Sequence, residues 1–239
     1  MSVEFSIVIP VFNEAGAVEG LALEIAAAFA GEAFEVIFVD DASTDDTRAR
    51  LAALKSRIPA LRVIVHRRNA GQSRAIRSGV LAARAPIVIT LDGDGQNDPA
   101  DAPRLAQRLK DASPRLGLVA GLRVDRRDSR AKRWASRLGN GLRRRLLQDG
   151  ARDTGCGLKA FRREAYLRLP FFDHQHRFLP ALFAREAYEV AFEPVGHRPR
   201  TSGRSKYTNF GRLLVSLPDL MGVVWLNARA RSPEGVDEG

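Results

Sequence analysis

The sequence predicts an α/β protein on a doubly wound, mainly parallel sheet flanked by helices, and three observations predict it. Short apolar runs alternate with Ala- and Leu-rich stretches at helical spacing, giving β-α-β-α-β-α-β over the first 91 residues. The runs are apolar throughout, as strands covered on both faces are, and each opens into a polar or acidic loop. At 239 residues, 45% of them hydrophobic, the chain is long enough to bury one large core.

Phe5 to Pro10 reads as the first strand, Val11-Phe12-Asn13-Glu14 as its loop, and Ala15 to Ala30 as a helix. Phe34 to Val39 is the second strand, ending in Asp40-Asp41-Ala42-Ser43-Thr44-Asp45-Asp46-Thr47. Ser43 or Thr44 is expected to cap a helix running to about Arg57, with Asp45 and Asp46 in its first turn, where the helix dipole favours acids. Leu61 to His66 is the third strand, Asn69 to Gln72 a turn, and Ser73 to Arg84 a helix. The fourth strand, Pro86 to Leu91, leads into Asp92-Gly93-Asp94-Gly95-Gln96-Asn97-Asp98-Pro99. Ligands of such sheets gather at the carboxyl ends of the strands, so Glu14, Asp40-Asp41 and Asp92-Asp94 fall on one edge.

Further on, Pro99 to Ala112 reads as a helix and Leu116 to Gly121 as a strand with Arg123 at its end. Ser129 to Gln148 carries Trp134, Leu138, Leu142, Leu146 and Leu147 at helical spacing, an amphipathic helix with a cationic face. Asp153 to Phe161 reads as a Gly-kinked strand, Phe178 to Ala187 as a helix, and Tyr188 to Val195 as a further strand. Arg200 to Tyr207 has the composition of a mobile loop. The expected organisation is one domain over residues 1–209, an amphipathic helix over 210–231 bent near Pro218, and a disordered tail over 232–239.

The formal charge of +10 is concentrated. Arg123 to Arg145 holds ten Lys and Arg against Asp125 and Asp128, and Gly196 to Arg212 adds five more without an acid. Such a face suits an anionic partner: nucleic acid, anionic lipid or a phosphorylated substrate. Nucleic acid is disfavoured, because only Trp134 and Tyr207 offer stacking in the basic stretches and no nucleic-acid signature appears. The single cysteine, Cys156, excludes an internal disulfide framework and points to a reducing, cytosolic compartment, where it reads as a small buried residue. No signal peptide is recognisable at the N-terminus. Leu213 to Leu226 is too short to cross a bilayer and contains Pro218 and Asp219.

Asp92, Asp94, Gln96 and Asp98 lie within seven positions, loosened by Gly93 and Gly95. Carboxylate and amide oxygens so close suit a hard divalent cation, magnesium or manganese, and not zinc. The competing reading is a solvated acidic turn ending in the helix start at Pro99.

Ile9-Pro10-Val11-Phe12-Asn13-Glu14, Val39-Asp40-Asp41-Ala42-Ser43-Thr44-Asp45, Asp92-Gly93-Asp94-Gly95-Gln96 and Arg200-Thr201-Ser202-Gly203-Arg204-Ser205-Lys206 occur in this order and spacing. Together they resemble family 2, GT-A-fold glycosyltransferases of the dolichol- or polyprenyl-phosphate sugar synthase group, over about residues 5 to 229. The resemblance implies an inverting transfer of a hexose-type sugar from a GDP- or UDP-linked donor to a polyprenyl phosphate. By resemblance, Pro10, Phe12 and Glu14 hold the base and ribose, Asp41 accepts from the base, and Gly93 and Ser205 belong to the donor site. Asp92, Asp94 and Gln96 are the implied Mg2+ or Mn2+ ligands, while Asp98 is left to cap the helix behind Pro99. Arg123, Arg137, Arg200 and Lys206 are implied to hold the acceptor phosphate and donor pyrophosphate around Asp94, with the Arg200 to Lys206 loop closing over the donor.

Many members of that group continue into transmembrane helices. For this chain the expectation is peripheral attachment to the inner face of the membrane through the last helix, with a separate integral membrane partner supplying the rest. Two other readings compete. Transfer to a soluble saccharide or protein acceptor needs a general base near Asp94 and leaves the arginine cluster unexplained, and a nucleotidyltransferase lacks a Gly-rich phosphate loop after the first strand. His197, beside the late loop, reads as a structural histidine.

Overall fold

The computed structural model describes residues 2–124, 143, 145–151, 153, 155–199 and 209–230, with 209–216 described as helix backbone only. The chain runs β1 (Phe5–Val11), α1 (Val18–Ala28), β2 (Phe34–Asp40), α2 (Thr47–Leu54), β3 (Leu61–Val65), α3 (Gln72–Ala82), β4 (Ile87–Thr90), α4 (Ala102–Asp111) and β5 (Leu116–Arg123). It continues through β6 (Lys159–Arg162), α5 (Arg163–Arg168), α6 (Leu179–Arg185), β7 (Glu189–Val195) and α7 (Asn209–Ala228).

The seven strands form one sheet in the order β3-β2-β1-β4-β6-β5-β7. It is mainly parallel, as expected, except that β6 runs antiparallel between β4 and β5. Side chains alternate between two cores. Phe5, Ile7, Ile9 and Val11 of β1 face α1, α2 and α4, whereas Val8 faces the opposite layer of α3, α5, α6 and α7. Strand order reverses between β1 and β4, so the loops after β1, β2 and β4 open at the topological switch point, where ligands of such sheets bind.

Two local expectations are corrected, and one helix is added. Neither Ser43 nor Thr44 caps α2, which begins at Thr47. The Ser43 hydroxyl instead accepts from the Asn13 N–H at 2.9 Å, because the neighbouring loop offers it a donor. The strand expected from Asp153 shortens to Lys159–Arg162, since Asp153 is drawn to Arg123 and the stretch around Gly155 and Gly157 packs against side chains rather than a ladder. Helix α5, from Arg163 to Arg168, was not expected at all. The basic segment is described only in its last turn, where Leu147 is buried, and Arg200 to Tyr207 lies outside the described residues.

The terminal helix does two things at once. Leu220 and Val223 are buried in the core beside α6, while Leu217, Met221 and Trp225 stay exposed. Among the described residues, no helix is long and apolar enough to cross a membrane.

Candidate active site

The loops after β1 and β2 are knitted into one unit. Asn13 N–H donates to Ser43 Oγ at 2.9 Å, Glu14 N–H to Thr47 Oγ1 at 2.9 Å, and Ala15 N–H to Asp45 Oδ2 at 3.2 Å. In return Thr44 N–H donates to Asn13 Oδ1 at 2.7 Å. Asn13 and Ala42 both sit at positive φ, 56° and 64°. For alanine this conformation costs on the order of 1 kcal/mol, held in place by the surrounding bonds. The acid-rich loop is therefore largely a builder: Asp40 accepts from Ser43 N–H, and Asp45 from Thr47. Phe12 and Glu14 emerge half-buried beyond it, whereas Pro10 is buried within β1 and offers a ligand little surface.

Asp41 has an internal role that the sequence did not indicate. Its carboxylate accepts from Ala70 N–H at 2.9 Å and Gly71 N–H at 2.8 Å, and His66 Nδ1 lies 2.7 Å from Oδ1. With a side chain only 5% exposed, it fastens the turn before α3 instead of standing open to a base.

The turn that Asp41 holds places Gln72 over the next loop. Gln72 Nε2 donates to Asp92 Oδ1 at 2.8 Å, and Asn97 Oδ1 accepts from Asp92 N–H at 3.0 Å. Asp94 Oδ1 receives the Gln96 N–H at 3.1 Å, bending the loop back on itself. Two glycines permit this packing. A Cβ at Gly93 would lie 2.8 Å from the Pro10 carbonyl, and one at Gly157 only 2.3 Å from the Asp92 carboxylate. Thr90 Oγ1 donates to the Gly157 carbonyl at 2.8 Å, which keeps that cradle closed. Asp98 does cap the helix behind Pro99, accepting from Ala100 N–H at 3.0 Å.

The electrostatics follow from this packing. Burial, and then the neighbouring Asp94 charge, push the Asp92 carboxyl up to about 6, against the pull of Lys159, Arg123 and the Gln72 bond. Asp92 and Asp94 thus repel one another within the same loop. They are hard oxygen donors, and among the described residues no three His, Cys, Asp or Glu side chains gather into a metal-binding group. That donor set fits magnesium or manganese, which use one or two carboxylates and complete their shell with water and substrate phosphates.

The predicted arginines divide. Arg123 reaches the site from the end of β5, but its guanidinium is paired bidentately with Asp153, Nε to Oδ2 at 2.6 Å and Nη2 to Oδ1 at 2.7 Å. At 13% and 5% exposure the pair is a buried structural unit, not a free phosphate fork. Arg137, Arg200, Ser205 and Lys206 lie outside the described residues. The chain entering the late loop is placed, however: Asn97 and His197 form a β-bridge, and Arg198 N–H donates to the Gln96 carbonyl at 2.9 Å. At His197 and Arg198, therefore, the chain runs beside the acidic loop. Burial pushes the Cys156 thiol up, so it is not primed as a nucleophile.

Solved structures share this architecture. Glucosyl-3-phosphoglycerate synthase from Mycobacterium tuberculosis, in complex with Mn2+, UDP and glucosyl-3-phosphoglycerate, superposes with a TM-score of 0.72 at 20% identity over 96% of this chain and 81% of that one. A mannosyltransferase from Pyrobaculum calidifontis, in complex with GDP-Man and Mn2+, gives 0.67 at 21% identity over 98% and 66%. The family description Glycosyl transferase family 2 matches residues 6–169, from β1 through α5. The chain belongs to glycosyl transferase family 2.

Curated family 2 relatives extend the likeness. An undecaprenyl-phosphate 4-deoxy-4-formamido-L-arabinose transferase of Pseudomonas paraeruginosa is 38% identical over 222 residues, covering 90% of this chain and 63% of the relative. A dodecaprenyl-phosphate galacturonate synthase of Rhizobium johnstonii is 34% identical over 230 residues, covering 94% and 67%. The chain thus spans about two thirds of the length of these relatives.

Several residues of this family 2 site were not singled out by the sequence. Gln72 was read only as the end of a turn, although its place at the carboxyl edge of β3 could have marked it. Lys159 opens β6; it is 4% exposed and donates to the Cys156 carbonyl beneath the acidic loop. His176 Nδ1 lies 2.7 Å from Ser73 Oγ, next to Gln72, a link no local pattern reveals.

Proposed function

We propose that the chain is a metal-dependent, inverting glycosyltransferase that moves a hexose-type sugar from a GDP- or UDP-linked donor to a polyprenyl phosphate at the cytosolic membrane surface. The observation that carries this reading is the carboxylate pair Asp92 and Asp94 at the switch point, with Asp92 seated on Gly157 and oriented by Gln72. The names of relatives 34% and 38% identical to the chain support the acceptor class.

In this reading Asp92, Asp94 and Gln96 hold Mg2+ or Mn2+, which when bound neutralises charge on the departing nucleoside diphosphate. Phe12 and Glu14 line the nucleotide side, with Pro10 and Asp41 supporting them from behind. Arg200 and Lys206, with Ser205 and Arg137, hold the acceptor phosphate and the donor pyrophosphate. The acceptor oxygen is already anionic near neutral pH, so positioning matters more than a general base. One acceptor oxygen forms a bond to the anomeric carbon as the bond from that carbon to the diphosphate oxygen breaks, and a single displacement inverts the centre. Residues 1–209 form the catalytic unit and 210–231 the membrane-proximal helix, with an integral membrane protein as a partner.

A thermal-shift panel of GDP- and UDP-sugars with and without Mn2+ tests the reading. One donor class at about a hundred times its Kd should stabilise the wild-type chain by about 2.7 kcal/mol, several degrees in Tm, only when Mn2+ is present. Asp94→Ala should lose that response. Equal stabilisation in chelator, or in the Asp94→Ala variant, would refute the metal assignment.

A further inference from the structure

The outward face of α7 has no role in the sugar-transfer site, yet it is the most conspicuous apolar surface described. Leu217, Met221 and Trp225 follow at four-residue spacing and are 56%, 57% and 60% exposed. The opposite face of the same helix is buried through Leu220 and Val223. Helix α7 therefore does not bury its stripe in its own domain.

Charge selects the occupant. The only acid between Leu217 and Ala230 is Asp219, and it is turned inward, its Oδ2 3.0 Å from His174 Nδ1. The cation Arg229 lies over the Trp225 ring, its guanidinium carbon 5.8 Å from the centroid. An apolar ridge ending in a tryptophan and an arginine, without an outward acid, matches the boundary between acyl chains and anionic headgroups.

The stripe is also tied to the site. Asp219 grips His174, which is held at a φ of 61° at the entrance of a short turn. Two residues on, His176 bonds Ser73, and the neighbouring Gln72 donates to Asp92. At its far end α7 meets Arg185, whose Nε donates to the Leu226 carbonyl at 3.3 Å, close to where β7 begins. The helix thus runs from the catalytic edge of the sheet to the opposite edge, and Leu217 is the ridge residue nearest the acidic loop.

We propose that Leu217, Met221 and Trp225 form a bilayer-docking ridge, and that the Asp219–His174 contact fixes the distance from that ridge to the carboxylate pair. A polyprenyl phosphate keeps its tail in the membrane, so seating the ridge at the interface brings the site to the lipid phosphate. The purpose of the ridge rests on the polyprenyl-phosphate reading; its existence does not.

The test is flotation of the full chain with vesicles of phosphatidylethanolamine and phosphatidylglycerol at 3:1, comparing wild type with Leu217→Ser/Met221→Ser/Trp225→Ser. Far-UV circular dichroism and melting confirm folding, and Trp225→Ser alone provides a milder variant. Wild type should float, and the triple variant should bind at least tenfold more weakly, with Trp225→Ser between them. Turnover with a short, water-soluble prenyl phosphate should be unchanged, while turnover with a long-chain acceptor in vesicles falls. The proposal is overturned if wild type ignores vesicles, if the triple variant floats equally, or if wild type is a dimer that the triple variant dissolves, which would make a second copy the occupant. Flotation needs no catalysis, so a wrong acceptor class would appear separately, as no turnover with any prenyl phosphate in either protein.

Discussion

A single methyl group at Gly157 tests the cradle under the acidic loop. The backbone there lies outside the left-handed region, so alanine is conformationally acceptable and its effect is steric. The new Cβ would lie 2.3 Å from the Asp92 carboxyl carbon and Oδ2 and 2.5 Å from Oδ1, where ordinary contact begins at 3.4 Å. The carboxylate has to retreat by about 1 Å, which also breaks its 2.8 Å bond from Gln72. If Asp92 holds the metal as proposed, a displacement of that size should lower turnover by about 10²-fold, or about 2.7 kcal/mol of transition-state stabilisation. Fold stability should fall by only about 1 kcal/mol, since a side chain and not the backbone yields. The assay pairs initial rates of sugar transfer with Mn2+ titration followed by melting. Gly20→Ala, on the exposed side of α1 with nothing within 4 Å, is the control and should gain about 0.5–1 kcal/mol in stability. A Gly157→Ala variant with wild-type rate and wild-type Mn2+ response would refute the cradle.

Other perturbations probe separate parts. Asp153→Ala strands the buried Arg123 guanidinium and should cost about 3–5 kcal/mol in urea unfolding, whereas an exposed pair such as Arg57–Glu19 should cost less than about 1 kcal/mol when broken. Burial, with Arg177 and Lys159 nearby, holds the His176 imidazole well below its usual 6.5. The unfolded chain therefore binds a proton that the folded chain refuses, and stability should fall as pH drops below about 6.5, by up to about 1.4 kcal/mol per pH unit. His176→Gln should flatten that slope between pH 6.5 and 5 in urea titrations; an unchanged slope would show that His176 is not the group responsible. Replacing Arg200 and Lys206 together should lower turnover with a short prenyl phosphate by about 10²-fold or more while nucleotide affinity changes little. Normal turnover in that double variant would remove both from the acceptor site.

The sheet and its ligand-bearing edge were legible because they rest on local regularities. Apolar runs such as Phe5 to Pro10 announce buried strands, and the spacing of helices between them forces the loops after β1, β2 and β4 to one end. Asp98 was legible as a cap for the same reason, since its partner is two residues away. What escaped the sequence depends on distant partners. Arg123 looked available for phosphate because Asp153, thirty positions on, cannot be matched to it by pattern. Asp41 looked like a ligand because its three partners come from the turn before α3. Ser43 looked like a helix cap because the N–H that it meets belongs to Asn13. The antiparallel entry of β6 was hidden as well, since pairing direction leaves no mark on a run as short as Lys159–Arg162.

The central claim is sugar transfer to a lipid phosphate, and product detection tests it most directly. Purified chain, Mn2+ and a short polyprenyl phosphate would be incubated with GDP- and UDP-sugars in turn, and products followed by mass spectrometry and anomeric NMR. One donor should yield a prenyl-phosphate sugar of inverted anomeric configuration, and Asp94→Ala should yield none. Glycosylation of a saccharide or protein, with no prenyl-phosphate product from any donor, would contradict it.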